Sequence, residues 1–364
     1  MKPARPARAA TPVPTSRLGR VLRMGLMAGE LALGTALDGA RQWASGRKPA
    51  AGSAILTARN ARVLARELAR LRGAAMKLGQ MLSLQGDEIL PPEFTQALAI
   101  LGSQAYAMPS AQLHGVLGRE YGAGWRRRFG RFDEEPIAAA SIGQVHRARA
   151  GDGRELVLKI QYPGVARSID SDVDNMATLL RWLDFLPVDL DVPGLAAEAK
   201  RQLRLEADYA AEARHAERFR ELLGGCGEFV LPRVHRDLST RRILAMDFIE
   251  GVPLESLQAP GVPQATRDRV GRALETLMFR ELFELHYMQT DPNPANYLYQ
   301  PGTGKVALLD FGSTLQLDPA RVQRYRDICR ALLADDEAAI RRHAVALGYL
   351  AEHEPEDRAH RVIG

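Results

Sequence analysis

With 364 residues and 46% hydrophobic content, the chain can bury a two-lobed core and an appended helical region. Its two cysteines, Cys226 and Cys329, are too few for a disulfide framework and too far apart for a zinc site, which points to a reducing compartment. The net charge of +5 is modest and gathers near the start of the chain, so it lends little support to nucleic-acid binding.

Residues 1–50 read as a basic tail and an amphipathic segment. Lys2, Arg5, Arg8, Arg17, Arg20 and Arg23 all precede the first acid, Glu30, among Pro3, Pro6, Pro12 and Pro14, a composition that favours disorder. From Val21 to Ala40 apolar residues such as Met24, Leu26, Met27, Leu31, Leu33 and Leu37 suggest a helix. Arg23, Glu30 and Asp38 interrupt it, so it falls short of the roughly 18 uninterrupted apolar residues a membrane span needs. Two readings stay open for it: a helix lying on an anionic membrane surface, or a helix packed on the body of the protein. The Arg-rich start fits a transit peptide or an ordinary basic bacterial terminus.

Residues 51–131 form an expected α-helical extension. Apolar residues recur at helical spacing from Ala61 to Leu84, and Lys77 and Gln80, three apart, share one face. Arg126, Arg127 and Arg128 beside Trp125 and Phe129 make a basic-aromatic cluster of the kind that stacks on bases, but one short patch reads better as a surface turn before the first strand.

Residues 132–250 are expected to hold strands around Val145, Val157 and Ile243, with inserted helices. The apolar run Leu156-Val157-Leu158 ends in Lys159, as a strand presenting an ammonium to a phosphate does. A small-residue stretch, Ala138-Ala139-Ala140-Ser141-Ile142-Gly143-Gln144-Val145, ends 14 residues before Lys159. Further on, a helix expected around Leu203 to Phe219 carries Glu206, Asp208 and Glu212. Asp208 and Glu212 share a face, and spacing leaves both open as the partner of Lys159. His235-Arg236-Asp237-Leu238 spells a catalytic signature, yet Arg242 stands where a metal ligand is required and Ile249 where glycine belongs after Asp247-Phe248. The segment reads instead as a strand, Arg242 to Met246, running into a hinge at Asp247-Phe248-Ile249-Glu250-Gly251.

Residues 251–364 are expected to be mainly helical around a chemical core. Asn296 follows Asp291 by five residues, and Asp310-Phe311-Gly312 comes 14 residues later. This is the spacing with which kinase-like sites orient a nucleophile and hold magnesium on a nucleotide. Pro292 and Pro294 stiffen the loop between Asp291 and Asn296. Set against the glycine-rich phosphate loop of ordinary kinases, the stretch before Lys159 keeps Gly143 and Val145 but has alanine at the first two glycine positions, Ala138 and Ala140. Gln289-Thr290 replaces the usual His-Arg. No Ala-Pro-Glu follows Gly312, so a peptide substrate lacks its docking platform. The last residues, Arg358 to Gly364, do not read as a finished helix end, and a longer natural chain is expected.

The set resembles the UbiB family of atypical kinases, also called AarF-domain kinases. The matching motifs are Lys77-Leu78-Gly79-Gln80, Ala138 to Val145, Leu158 to Val165, Glu206-Ala207-Asp208, Met246 to Gly251, Asp291 to Asn296 and Asp310-Phe311-Gly312. The family's usual D-P-H-P-G-N differs here at Asn293 and Ala295. The resemblance implies an α+β, two-lobed protein-kinase-like fold with an N-terminal α-helical extension packed over the nucleotide cleft. It implies ATP or ADP with Mg as cofactors. Ala138, Ala139, Ala140, Ser141, Gly143, Val145, Lys159, Met246, Asp247, Phe248 and Ile249 would then line the nucleotide, and Asn296 and Asp310 would hold the metal. Asp291 would orient the attacking hydroxyl or water, and Glu212 is the family's partner for Lys159. Glu206 and Asp208 are left for Lys77, Gln80 or a metal. The expected activity is that of an atypical kinase or ATPase supporting ubiquinone or other isoprenoid-lipid metabolism. Its expected partners are an isoprenoid-quinone-like lipid, a membrane surface and lipid-biosynthesis enzymes. The alternative is a catalytically weak scaffold that binds nucleotide and lipid. The expected location is cytoplasmic, peripheral on the inner membrane, or mitochondrial in a eukaryote.

Overall fold

The structure is a computed structural model that describes Gly73, Ala74, Lys77, Leu78, Met81, residues 107–182, 191–291, 293–353 and Pro355. The 1–50 segment, Gln80 and Pro292 lie outside the described residues. Contacts divide the chain into two compact units, one reaching Arg214 and resuming over Arg233–Phe248, the other made of His215–Pro232 and Ile249–Gly364. The sequence reading keeps His215–Pro232 inside the 132–250 lobe, whereas its contacts group it with the second unit.

The first unit is built on an antiparallel sheet in the order β1-β3-β4-β6, with β2 paired to β3. Its strands are β1 (Phe129–Phe132), β2 (Ala138–Ala139), β3 (Gly143–Ala150), β4 (Glu155–Gln161) and β6 (Ile243–Asp247). Side chains alternate across a strand, so Leu156, Leu158 and Ile160 of β4 share one face. There they are fully buried in a cluster with Leu113, Val116 and Leu117 of α1 (Ser110–Tyr121). Each such side chain contributes about 1.5–3 kcal/mol by leaving water. The same alternation turns Lys159 to the other face. Trp125 and Phe129 are buried in this core too, and Arg126 lies 4.7 Å from the Trp125 ring while pairing with Glu134. The basic-aromatic cluster is thus spent on packing and a surface ion pair.

A buried polar chain ties β3 to the segments around it. Met108 N donates to Gln144 Oε1 at 2.8 Å, Gln144 Nε2 lies 2.7 Å from His146 Nε2, and His146 Nδ1 lies 2.8 Å from the Asp133 carbonyl. A carbonyl only accepts, so Nδ1 carries the proton and Nε2 accepts. Burial holds the His146 imidazole below its ordinary value, consistent with that neutral form.

Helices α2 (Val165–Trp182), α3 (Val192–Glu206) and α4 (Tyr209–Leu223) follow β4. The single helix expected over Leu203 to Phe219 is therefore broken. Ala207 N and Asp208 N still donate to Leu203 and Leu205 carbonyls, closing α3, and the Asp208 carboxylate accepts from Ala211 N at 2.9 Å, opening α4. Asp offers the next helix an orphan-donor cap that a continuous helix would not need.

In the second unit a four-stranded sheet runs β5-β10-β9-β7, with β5 (Phe229–Val230) parallel to β10 (Lys305–Leu308) and the rest antiparallel. Strands β7 and β9 are Val252–Pro253 and Tyr297–Gln300, and a separate ribbon pairs β8 (Tyr287–Gln289) with β11 (Thr314–Gln316). Helix α5 (Gln264–Arg280) passes into one π-helical turn, Glu281–Leu285, and stops at His286, whose φ of 51° is left-handed. Helices α6 (Pro319–Leu333) and α7 (Glu337–Leu347) pack through Ala331, Ala339 and Ile340. No helix among the described residues is long and apolar enough to cross a membrane.

Candidate functional site

The first unit assembles the lysine half of the site. Lys159 Nζ donates to Glu212 Oε1 at 2.7 Å, with the glutamate fully buried, and lies 5.5 Å from the Tyr209 ring. Of the two carboxylates that spacing left open, Glu212 takes the lysine and Asp208 is engaged as the α4 cap. Gln161, two residues on along β4, donates to the Ala207 carbonyl at 2.7 Å and so fixes the break between α3 and α4 against the strand.

Glu206 joins two other motifs. Its Oε1 lies 3.0 Å from Lys77 Nζ, and its Oε2 accepts from Ser141 Oγ in the alanine-rich stretch. Lys77 and its helical neighbours sit directly on that stretch: a Cβ on Gly73 would come within 3.1 Å of the Ser141 carbonyl oxygen. Residues 138–145 form a tight β2–β3 hairpin, Ala138 opposite Val145 and Ala139 opposite Gln144, closed by Ala140 N donating to the Gly143 carbonyl. None of these residues has positive φ, so alanine is accommodated where ordinary kinases use glycine. Gly143 is needed for another reason. A Cβ there would lie 2.5 Å from the Ile160 carbonyl oxygen and 2.9 Å from the Tyr209 hydroxyl. Gly143→Ala is expected to cost about 1–3 kcal/mol, as overpacking does, read as a lower melting temperature; an unchanged melt would contradict the close approach.

The hinge residues have structural duties. Asp247 accepts from Arg233 N at 3.0 Å and pairs with His235 Nε2 at 2.7 Å, while Phe248 N donates to the Glu155 carbonyl and its ring lies 4.1 Å beneath the Arg147 guanidinium. Met246 is buried in β6, and Ile249 begins the second unit. The false signature is tied up as well. Asp237 is held by Arg154, whose guanidinium keeps its carboxyl below the usual range, and Arg154 also reaches His235 Nδ1.

The second unit brings Asp291, Asn296 and Asp310 together. After Asp291, the Asn293 side chain accepts from Ala295 N at 3.0 Å and caps the 3-10 turn Pro294–Asn296. Asn293, one of the two departures from the family pattern, thus supplies its own turn. Asn296 Nδ2 then donates to the Asp291 carbonyl at 3.1 Å, and Leu309 N donates to the Asn296 carbonyl at 3.0 Å, which sets Asp310 beside the loop. Gly312 N donates to Asp310 Oδ1 at 2.9 Å. Thr290 clasps the Ser313 carbonyl through both its N–H and its hydroxyl. Phe311 is buried with its ring 5.3 Å from that of Phe219.

One residue at this site escaped the sequence reading. Glu281 is only 5% exposed, lines a pocket with Asn296 and Asp310, and accepts from Gln289 N at 3.2 Å. Burial pushes its carboxyl up to about 7. Tyr297, in the same pocket, is pushed up to about 12, chiefly by burial, with Glu281 and Asp291 adding to it. A signal for Glu281 did exist: Val270, Ala273 and Leu277 form the buried face of α5, and position 281 continues that stripe.

The β-sheet with its Lys–Glu pair and the loop-borne Asp, Asn and Asp define an α+β protein-kinase-like protein. A model of the ABC1 atypical kinase-like domain matches residues 100–344, and the chain belongs to that family, the UbiB or AarF-domain kinases. It is 39% identical over 347 residues to "Atypical kinase COQ8, mitochondrial" of Schizosaccharomyces pombe and 37% identical over 346 to "Atypical kinase COQ8B, mitochondrial" of Danio rerio. These matches cover 94% of this chain but 56% and 55% of the two relatives, so the chain spans about half their length. A solved structure, the complex of Rv3197 with erythromycin from Mycobacterium tuberculosis, aligns with 74% of this chain and 68% of its own at 32% identity and a TM-score of 0.51.

Proposed function

We propose that this chain is an ATP-binding atypical kinase or ATPase of the UbiB type, acting in ubiquinone or other isoprenoid-lipid biosynthesis at a membrane. The observation that carries the reading is that Asn296, bonded to the Asp291 carbonyl within one loop, lines a pocket together with Asp310. On this reading Lys159, steadied by Glu212, orients the phosphates, and Asp291 orients the attacking hydroxyl or water. The short run from Gly312 to α6, already committed to β11, leaves no long segment on which to dock a peptide, and this favours a small lipophilic acceptor or water. The COQ8 names of the relatives support the quinone pathway and, in a eukaryote, a mitochondrial setting.

The donor set fits magnesium. An amide and a carboxylate are hard oxygen ligands, and Asn296 spends its Nδ2 on the Asp291 carbonyl, which reserves Oδ1 for a cation. Magnesium takes most of its oxygens from water and phosphate, so one amide and one carboxylate suffice as protein ligands. Asn296 and Asp310 would hold it, and when bound it neutralises phosphate charge. Asp310→Asn is expected to abolish the Mg-dependent rise in melting temperature that ATP or ADP produces. An unchanged rise would refute the assignment.

A further inference from the structure

The catalytic loop hangs from a buried carboxylate that no kinase signature includes. Helix α5 passes into a π turn at its end, and Glu281, the first residue of that turn, continues the buried stripe of the helix and reaches β8. Glu281 Oε2 accepts the Gln289 N–H at 3.2 Å, and Gln289 in turn brackets the Asp291 backbone: its Nε2 donates to the Asp291 carbonyl at 2.7 Å, and its Oε1 accepts from Asp291 N at 3.2 Å. Asn296 closes on the same Asp291 carbonyl at 3.1 Å. The chain of bonds therefore runs from a helix core to the backbone that carries Asp291. Glutamine at position 289, where ordinary kinases place histidine, has both the donor and the acceptor this bracket requires.

We propose that Glu281 is a positioning residue for phosphoryl transfer or hydrolysis, acting through Gln289 to hold Asp291 in its working geometry. The inference rests on the role proposed for Asp291. The bond that Glu281 accepts comes from Gln289 N, so the proposal assigns it to the loop backbone and not to nucleotide or metal. Loss of the acceptor lets the loop drift, and a misplacement of about 1 Å costs on the order of 100-fold in rate.

The test measures phosphate release and the nucleotide-dependent melting shift side by side, with Mg-ATP as the probe. Glu281→Leu, which cannot accept a hydrogen bond, is expected to lower kcat roughly 10- to 100-fold while the ATP melting shift persists. Glu281→Gln, which keeps an acceptor oxygen, recovers most of that loss. Gln289→Leu falls in the same way, and the double variant is no worse than the poorer single one, as members of one chain should be. Equal turnover in the Leu and Gln variants at position 281, or fully additive losses, would overturn the proposal. Should Glu281→Leu not fold, undiminished turnover in Gln289→Leu overturns it instead. Asp291→Asn in the same assay distinguishes the two levels. If that variant turns over normally, the site reading itself fails; if it is inactive while Glu281→Leu stays fast, only the positioning role fails.

Discussion

Asp291→Asn is expected to lower phosphate release by about two to four orders of magnitude, the range a lost general base or nucleophile-orienting group costs, while nucleotide binding survives. Both Gln289 Nε2 and Asn296 Nδ2 hold Asp291 through its backbone carbonyl, so asparagine keeps these two bonds while removing the carboxylate charge. Asp310→Asn acts at a different point, on metal-dependent binding, so the two variants separate chemistry from nucleotide capture. Phosphate release should be followed with and without liposomes and isoprenoid-like phenols. Turnover that is absent in the unmodified protein under every condition, with the melting shift intact, would favour a nucleotide-binding scaffold, and turnover surviving in Asp291→Asn would remove Asp291 from the mechanism.

The second large effect is on stability and its pH dependence. Burial holds the Glu281 carboxyl at about 7 in the folded protein, against an ordinary value of 4.5. Below the lower value both folded and unfolded chains carry the proton, and Glu281 imposes no penalty. As pH rises through the interval the unfolded chain releases its proton first, so stability falls by about 1.4 kcal/mol per pH unit and levels off above the folded value. The full cost is roughly 3 kcal/mol. Glu281→Gln removes it, since the amide stays neutral. The variant should therefore melt several degrees above the unmodified protein at pH 8 without nucleotide or metal, and show little difference near pH 4. A gap of equal size at both pH values would mean that ionisation of Glu281 is not the cause. A carboxylate kept in so unfavourable a place, bonded to the strand that leads into the Asp291 loop, fits the proposed exchange of stability for positioning.

Much of the fold and the motif order was legible in the chain. Leu156, Leu158 and Ile160 alternate as a strand with one buried face must, and that period alone turns Lys159 away from the core. The strand over Arg242 to Met246 was likewise readable, and it appears as β6. The rejection of His235-Arg236-Asp237 followed from chemistry, a cation standing where a metal ligand was required. The break at Ala207–Asp208 was hidden because Leu203, Ala213, Ala216 and Phe219 keep enough helical spacing to mask a change of helix, and only the Asp208 side chain marks it. Glu281 was hidden for the opposite reason. Charge at a helix position normally argues for solvent, and here the apolar stripe outweighs it.

The side chains this protein can present were determined by its amino-acid order: one strand-borne lysine, a loop with Asp291 and Asn296, and Asp310 before Phe-Gly, because local spacing and residue type decide what each short segment can present. Tertiary structure alone decided the partnerships. Glu212 rather than Asp208 meets Lys159, Glu206 links Lys77 to Ser141, and Glu281 supports Gln289. These contacts depend on where a helix breaks and how one element packs against a distant one, and neither is encoded in the period of any single segment.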